Sequence, residues 1–98
     1  MIEVDDIRYF QADQKYVSVV TPHGEVLIEE TLKALEDEFR DRFVRIHRNA
    51  LVARDYIAGL ERDDEGRGRL QLSGITTTLE VSRRHIAEIR RLVKVLQG

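Results

Sequence analysis

The chain contains no cysteine and only one proline among its 98 residues. The absence of cysteine excludes disulfides, thiolate metal sites and a cysteine nucleophile, and it fits the reducing cytoplasm. No apolar run approaches the roughly 20 residues that a membrane-spanning helix requires. The opening segment, residues 1–7, is too acidic for a signal peptide. The sequence therefore predicts a cytoplasmic domain that has no membrane partner.

Motifs for catalysis and nucleotide binding are also missing. The three histidines lack HxH or HExxH spacing, no serine lies in a GxSxG motif, and neither a GxxxxGK[ST] nor a GxGxxG loop is present. The acidic cluster of Asp63, Asp64 and Glu65 does not follow the pattern of a calcium-binding loop. We therefore expect no enzyme activity, no metal and no cofactor.

The charge of the chain is unevenly distributed along its length, although the net charge is only −2. Residues 1–41 carry 4 basic and 11 acidic side chains, a net charge of −7. Residues 42–98 carry 12 basic and 7 acidic side chains, a net charge of +5. Such a domain can present one basic face to phosphates while an acidic face limits unspecific binding. The alternative is that the arginines are ordinary solvated surface.

The periodicity of apolar residues predicts a mainly β fold of the α+β class. The predicted strands cover residues 7–12, 16–21, 25–29, 43–47, 51–53, 56–62, 69–72 and 77–81. Thr31 is expected to cap a short central helix over residues 32–39, and Ser82 to cap a C-terminal helix. No repeat or linker is found, so residues 1–98 are expected to form a single domain. Because the sequence starts close to a strand, we expect this domain to be excised from a longer protein.

Residues 43–52 are the most informative segment, because polar side chains interrupt the pattern of a buried strand. On a regular pleat, Val44 and Ile46 face one side of this strand, and Arg45 and His47 face the other. We expect a charged partner to contact the polar side chains that interrupt this strand.

The chemistry of the interruption favours DNA. Arginine and asparagine have forked donors and acceptors that match the major-groove edges of guanine and adenine, and arginine and histidine also reach phosphates. Arg45, His47, Arg48 and Asn49 are therefore candidate DNA contacts, although a structural role for His47 stays open.

A second basic element is the sequence Ser82-Arg83-Arg84. Cations in the first turn of a helix oppose the helix dipole, and a docked anion would reverse that unfavourable term. Arg83 and Arg84 are thus candidate phosphate or base contacts. The alternative is a pair of surface arginines that Glu80 or Glu88 neutralises.

The segment Asp13-Gln14-Lys15-Tyr16 joins the first two predicted strands and combines an amide, an ammonium and an aromatic ring. Such side chains can contact the DNA backbone or the bases. They also occur in ordinary turns, so both interpretations stay open for Gln14, Lys15 and Tyr16.

Taken in order, these segments make the chain resemble the LytTR DNA-binding domain of bacterial response regulators over nearly its whole length. The resemblance rests on the segments IRYFQA at 7–12, KYV at 15–17, TLKALE at 31–36, FVRIHRN at 43–49 and VSRR at 81–84.

The resemblance implies an elongated, mostly antiparallel β fold with short helices, whose loops enter successive major grooves of promoter DNA. It also implies binding of a second copy at paired sites and an N-terminal receiver domain outside this chain. The implied contacts are Gln14, Lys15, Tyr16, His47, Arg48, Asn49, Arg83 and Arg84. The competing interpretation is a protein-interaction or dimerisation module that does not bind DNA.

Overall fold

The computed structural model describes residues 2–97, with side chains through residue 96. The strands in this range are β1 (Tyr9–Ala12), β2 (Val17–Thr21), β3 (Gly24–Ile28), β4 (Phe43–His47), β5 (Ala50–Ala53), β6 (Ile57–Arg62), β7 (Gly68–Leu72) and β8 (Leu79–Val81). The helices are α1 (Leu32–Glu38) and α2 (Ile86–Gln97), and short 3-10 turns cover Val4–Asp6 and Arg54–Tyr56.

The strands form two antiparallel sheets. The larger sheet has the order β3-β2-β1-β5-β4, and the smaller one has the order β6-β7-β8. Consecutive strands β1, β2 and β3 form a meander, and β1 also pairs with the distant strand β5. The prediction of a mainly β fold with antiparallel sheets, a short central helix and a C-terminal helix is confirmed.

Strand β5 is buried along its whole length because a hydrophobic core lies on each of its faces. Ala50 and Val52 point towards the smaller sheet and α2, whereas Leu51 and Ala53 point towards α1. The first core consists of Tyr9, Ile46, Ala50, Val52, Leu70, Leu72, Leu79, Val81, Ile89 and Val93. The second core consists of Ile7, Phe10, Val17, Val19, Leu32, Leu35, Phe43, Leu51 and Ala53.

Helix α1 begins where the sequence predicts. The hydroxyl of Thr31 accepts a hydrogen bond from the backbone N–H of Ala34 at 3.0 Å, which satisfies a free donor of the first turn. Leu32 and Leu35 bury one face of the helix in the second core. The helix ends at Glu38, one residue before the predicted end, because Phe39 leaves the helical conformation with φ −112° and ψ 35°.

The start of the C-terminal helix was predicted wrongly. Helix α2 begins at Ile86, and Ser82 lies in a turn before it instead of capping it. The backbone N–H of Ser82 binds the carbonyl of Ile46 at 2.9 Å, which continues the contact between β8 and β4. The carbonyl of His85 accepts the first bond of the helix, from the N–H of Ile89 at 3.0 Å.

Candidate nucleic-acid interface

Two of the predicted DNA-contacting segments are neighbours in space. Turn 13–16 connects β1 to β2, and turn 47–49 connects β4 to β5. The backbone N–H of Ala12 donates to the carbonyl of Asn49 at 2.8 Å, which extends the pairing of β1 with β5 as far as the two turns. Both turns therefore lie at the same end of the larger sheet.

The third segment, turn 82–85, lies at the same end. The hydrogen bond from the N–H of Ser82 to the carbonyl of Ile46 fastens this turn to the last residues of β4. Turn 47–49 is thus bonded or adjacent to both other turns, and it occupies the middle position. Backbone hydrogen bonds hold all three turns at one end of the molecule.

A β-bulge separates the side chains of Arg45 and His47. Arg45 is paired with Leu51, His47 with Ala50, and the register shifts by one residue between them. Cross-strand partners share a face of a sheet, so Arg45 shares the face of Leu51 and α1, whereas His47 shares the face of Ala50. The prediction that Arg45 and His47 face the same side is wrong, because the extra residue of the bulge reverses the alternation.

Arg45 is engaged inside the protein. One terminal nitrogen lies 2.9 Å from a carboxylate oxygen of Glu36 in α1, and the other donates to the carbonyl of Arg48 at 2.7 Å. The side chain is only 19% exposed, and its Nε is buried without a hydrogen-bond partner. Arg45 therefore connects α1 to turn 47–49, and its donors point inwards instead of towards solvent.

Turn 47–49 presents its side chains outwards. The ring Nδ1 of His47 accepts a hydrogen bond from the backbone N–H of Asn49 at 3.2 Å, which closes the turn and leaves Nε2 as the other polar atom of the ring. His47 is half-buried, while Arg48 and Asn49 are exposed at the tip. The forked side chains of Arg48 and Asn49 are thus available to a ligand.

In turn 82–85, the hydroxyl of Ser82 and the Nδ1 of His85 form a hydrogen bond at 2.7 Å. Arg83 and Arg84 lie between these residues and are exposed. They precede helix α2, so they do not occupy its first turn as the sequence predicted. Partial burial lowers the pKa of His85; the arginines Arg84 and Arg45 lower it further, while the carboxylates of Glu88 and Glu36 oppose the shift.

In turn 13–16, the carboxylate of Asp13 accepts a hydrogen bond from the backbone N–H of Gln14 at 2.7 Å, and the N–H of Asp13 donates to the carbonyl of Tyr16 at 2.8 Å. These bonds are internal to the turn, so Gln14 and Lys15 extend into solvent. Tyr16 lies just outside β2 and is 42% exposed, so part of its surface is open to a ligand.

The cations of the three turns lack counter-ions. Among the side chains of residues 2–96, Lys15, Arg48, Arg83 and Arg84 form no ion pair, whereas five of the 12 other lysines and arginines do: Lys33, Arg40, Arg42, Arg45 and Arg67. Unpaired guanidiniums grouped at one end of a domain create a positive potential that attracts an anion.

Glu36 is a residue of this site that the sequence alone does not identify. In the sequence, Glu36 has the pattern of a solvent-exposed position on an amphipathic helix. Its contact with Arg45 exists only because α1 packs against β4. No local signal in the sequence identifies such a contact.

Within the described residues, no group of three acidic or histidine side chains is placed to hold a metal ion. No helix in the described part of the chain is long and apolar enough to cross a membrane.

Comparison with known proteins gives a consistent result. The chain is 53% identical over 97 residues to the "Positive alginate biosynthesis regulatory protein" of Pseudomonas aeruginosa, a match that covers 98% of this chain and 39% of the relative. It is 29% identical over 97 residues to the "Heme-containing CO-sensing transcriptional regulator RcoM 2" of Paraburkholderia xenovorans, covering 98% of this chain and 36% of the relative. The chain thus spans about two fifths of the length of these relatives.

Among solved structures, the fold is similar to the LytTr DNA-binding domain of a methyl-accepting/DNA response regulator from Bacillus cereus. The TM-score is 0.80 at 21% sequence identity, and the match covers 93% of this chain and 84% of the other. The LytTr DNA-binding domain family matches residues 1–94 of the chain. The chain therefore belongs to the LytTR family of DNA-binding domains, as its motifs predicted.

Proposed function

We propose that this domain binds double-stranded DNA in a sequence-specific way by inserting its three turns into the major groove, as the DNA-binding part of a transcription regulator. The observation that carries the proposal is the pair of backbone hydrogen bonds, from Ala12 to Asn49 and from Ser82 to Ile46, that brings the three turns to one end of the molecule. One duplex can then contact all three turns at once.

The side chains divide by chemistry into base and phosphate contacts. Arg48, Asn49 and Arg83 have the forked donors and acceptors that recognise base edges. Lys15 and Arg84 supply charge for phosphates, and Gln14, Tyr16 and His47 supply further polar contacts. Arg45 acts indirectly in this proposal, because its bonds to Glu36 and Arg48 orient turn 47–49.

The low net charge of −2 limits how strongly the domain can bind DNA of arbitrary sequence. Each neutralised phosphate contributes a slope of about −0.9 to the dependence of log K on log salt concentration. A domain with a few free cations at one end therefore has a shallow salt dependence, and base contacts supply much of its affinity.

We further propose that residues 1–98 are one domain of a longer cytoplasmic response regulator without catalytic activity. An N-terminal receiver domain outside this chain would control it, and a second copy would bind an adjacent site of the promoter. The coverage of only 39% of the alginate regulator supports the presence of further domains.

Selection of bound duplexes from a random DNA pool, followed by fluorescence-anisotropy titration, tests the proposal. We expect one enriched sequence that binds at least 1,000-fold more tightly than a scrambled duplex, as specific DNA-binding proteins do by about 10³–10⁷. An interaction or dimerisation module would enrich no sequence. Equal affinity for all duplexes would overturn the proposal.

A further inference from the structure

We propose that a groove lined by arginines beside turn 82–85 binds a DNA phosphate and extends the interface beyond the three turns. This inference rests on the proposed function. The groove has a volume of about 370 Å³ and lies between the β6–β7 hairpin and α2. Its arginines come from separate elements: Arg62 from the end of β6, Arg67 from the hairpin tip, Arg83 from turn 82–85 and Arg90 from α2.

Strand pairing places this groove next to the three turns. Gly68 at the start of β7 pairs with Arg62 on one side and with Val81 on the other. Since Val81 directly precedes Ser82, the β6–β7 hairpin tip lies at the same end of the molecule as turn 82–85. A duplex held by Arg83 therefore passes close to the groove, which Arg83 also lines.

Gly68 lies next to Ile86, the first residue of α2. A Cβ atom at this position would lie 2.5 Å from the Cδ1 of Ile86, so Ile86 packs directly on β7 where the glycine has no side chain. Arg90 follows Ile86 by four residues and therefore lies on the same face of the helix. Arg90 and Ile86 both line the groove, as does Arg62 of the hairpin.

The charges in the groove are unbalanced in favour of an anion. Its two carboxylates, Glu65 and Glu80, both lie near Arg67, at 3.3 and 3.8 Å. Arg62, Arg83 and Arg90 form no ion pair among the side chains of residues 2–96. The guanidiniums of Arg62 and Arg90 repel each other until an anion is bound, and phosphate oxygens match their forked donors.

A phosphodiester of DNA fits the groove better than a free phosphate. The side chains of Arg62, Arg83 and Arg90 are all exposed, so a small anion would keep most of its contact with water and gain little. A phosphate that belongs to a duplex already held by the three turns is present at a high effective concentration. The groove thus contributes to affinity only as part of a larger interface.

The experiment measures the affinity of the variants Arg62→Ala and Arg90→Ala for the selected duplex and for a scrambled duplex at several salt concentrations. Because a phosphate contact carries no sequence information, we expect each substitution to weaken both affinities by the same factor, about 3- to 10-fold. The salt slope should fall by about 1 for each lost contact. Arg91→Ala is the matched control, since it removes the same charge from an exposed position of α2 that does not line the groove.

A duplex series with single uncharged methylphosphonate linkages locates the contact. The linkage that replaces the phosphate bound in the groove should weaken binding of the wild type. The same linkage should have no further effect on the Arg62→Ala/Arg90→Ala double variant. The proposal is overturned if the double variant binds like Arg91→Ala while Arg48→Ala still weakens binding, an outcome that leaves the proposed function intact. It is also overturned if inorganic phosphate binds the groove while the double variant keeps its DNA affinity. If the wild type shows no specific DNA binding, both proposals are overturned.

Discussion

The guanidinium of Arg45 lies 2.9 Å from the carboxylate of Glu36, and this contact joins the central helix to the strand that carries the middle turn of the interface. The same guanidinium donates to the carbonyl of Arg48, at the tip of that turn. One side chain thereby links the packing of α1 to the position of turn 47–49.

We expect Glu36→Ala to lower the free energy of unfolding by about 1–3 kcal/mol, because the partly buried guanidinium of Arg45 loses its charged partner. DNA affinity should fall as well, since turn 47–49 loses its orientation. The matched control is Asp37→Ala, which removes the exposed ion pairs with Lys33 and Arg40 on the same helix and should cost no more than about 0.5 kcal/mol. Urea denaturation measures both losses, and equal values for the two variants would contradict the role given to Arg45.

The proposed base contacts of Arg48 and Arg83 predict that replacing either arginine changes sequence preference. We expect Arg48→Ala and Arg83→Ala each to cost about 1–3 kcal/mol in binding to the selected duplex and to relax the preference at one base pair. Anisotropy titration against duplexes with single base-pair changes measures both effects. An unchanged preference in both variants would contradict the proposed base contacts.

Lys15→Ala should behave differently, because an ammonium is a point charge without the fork that reads a base edge. We expect it to weaken binding to the selected and the scrambled duplex by the same factor, with a smaller salt slope. A loss confined to the selected duplex would instead make Lys15 a base contact.

Two glycines with positive φ allow a backbone effect to be separated from a steric one. A Cβ at Gly74 would lie 2.7 Å from the guanidinium of Arg8, which donates to the carbonyl of Ser73 and stacks on the ring of Tyr56. A Cβ at Gly66 would meet nothing within 4 Å. We expect Gly66→Ala to cost about 1–2 kcal/mol for the left-handed conformation, and Gly74→Ala to cost about 0.5–1.5 kcal/mol more for the displaced hydrogen bond. Thermal unfolding of both variants checks the order.

Stability should decrease at mildly acidic pH through His85. Burial holds its pKa in the folded protein below the ordinary value of 6.5, so below that pH the unfolded chain binds more protons than the folded one. The contribution of neutral His85 is therefore complete above about pH 6.5 and is lost as the pH falls towards the lower pKa of the folded state. Urea titrations between pH 7.5 and 5 should show a smaller loss for His85→Gln than for the wild type. The control is His23→Gln, because His23 is exposed. If His85→Gln leaves the pH dependence of stability unchanged, the role given to His85 is contradicted.

The sequence predicted the strands and the central helix well wherever local patterns determine them. Strand β4 (Phe43–His47) has the predicted bounds, and the cap at Thr31 forms as expected. Local patterns do not predict the structure where a segment distant in the chain determines the pairing. The pairing of β1 with β5 satisfies backbone groups of segments far apart in the chain, and no periodicity identifies that partner.

Two details of the candidate site differ from the sequence-based prediction: the faces of Arg45 and His47, and the position of Ser82. The bulge between Arg45 and His47 breaks the regular pleat that the prediction assumed, so the two side chains separate. Ser82 has the residue type of a cap, yet its N–H is bonded to Ile46, and the helix starts later. The free cations of the three turns can be distinguished from the paired ones only in three dimensions.

The three turns are fastened to one another through main-chain amides and carbonyls, which every amino acid except proline provides in full. Their exposed side chains can therefore be exchanged without moving the turns. A library that randomises Gln14, Arg48, Asn49 and Arg83 should yield domains with new operator preferences on an unchanged scaffold, which makes this domain a practical starting point for engineered repressors.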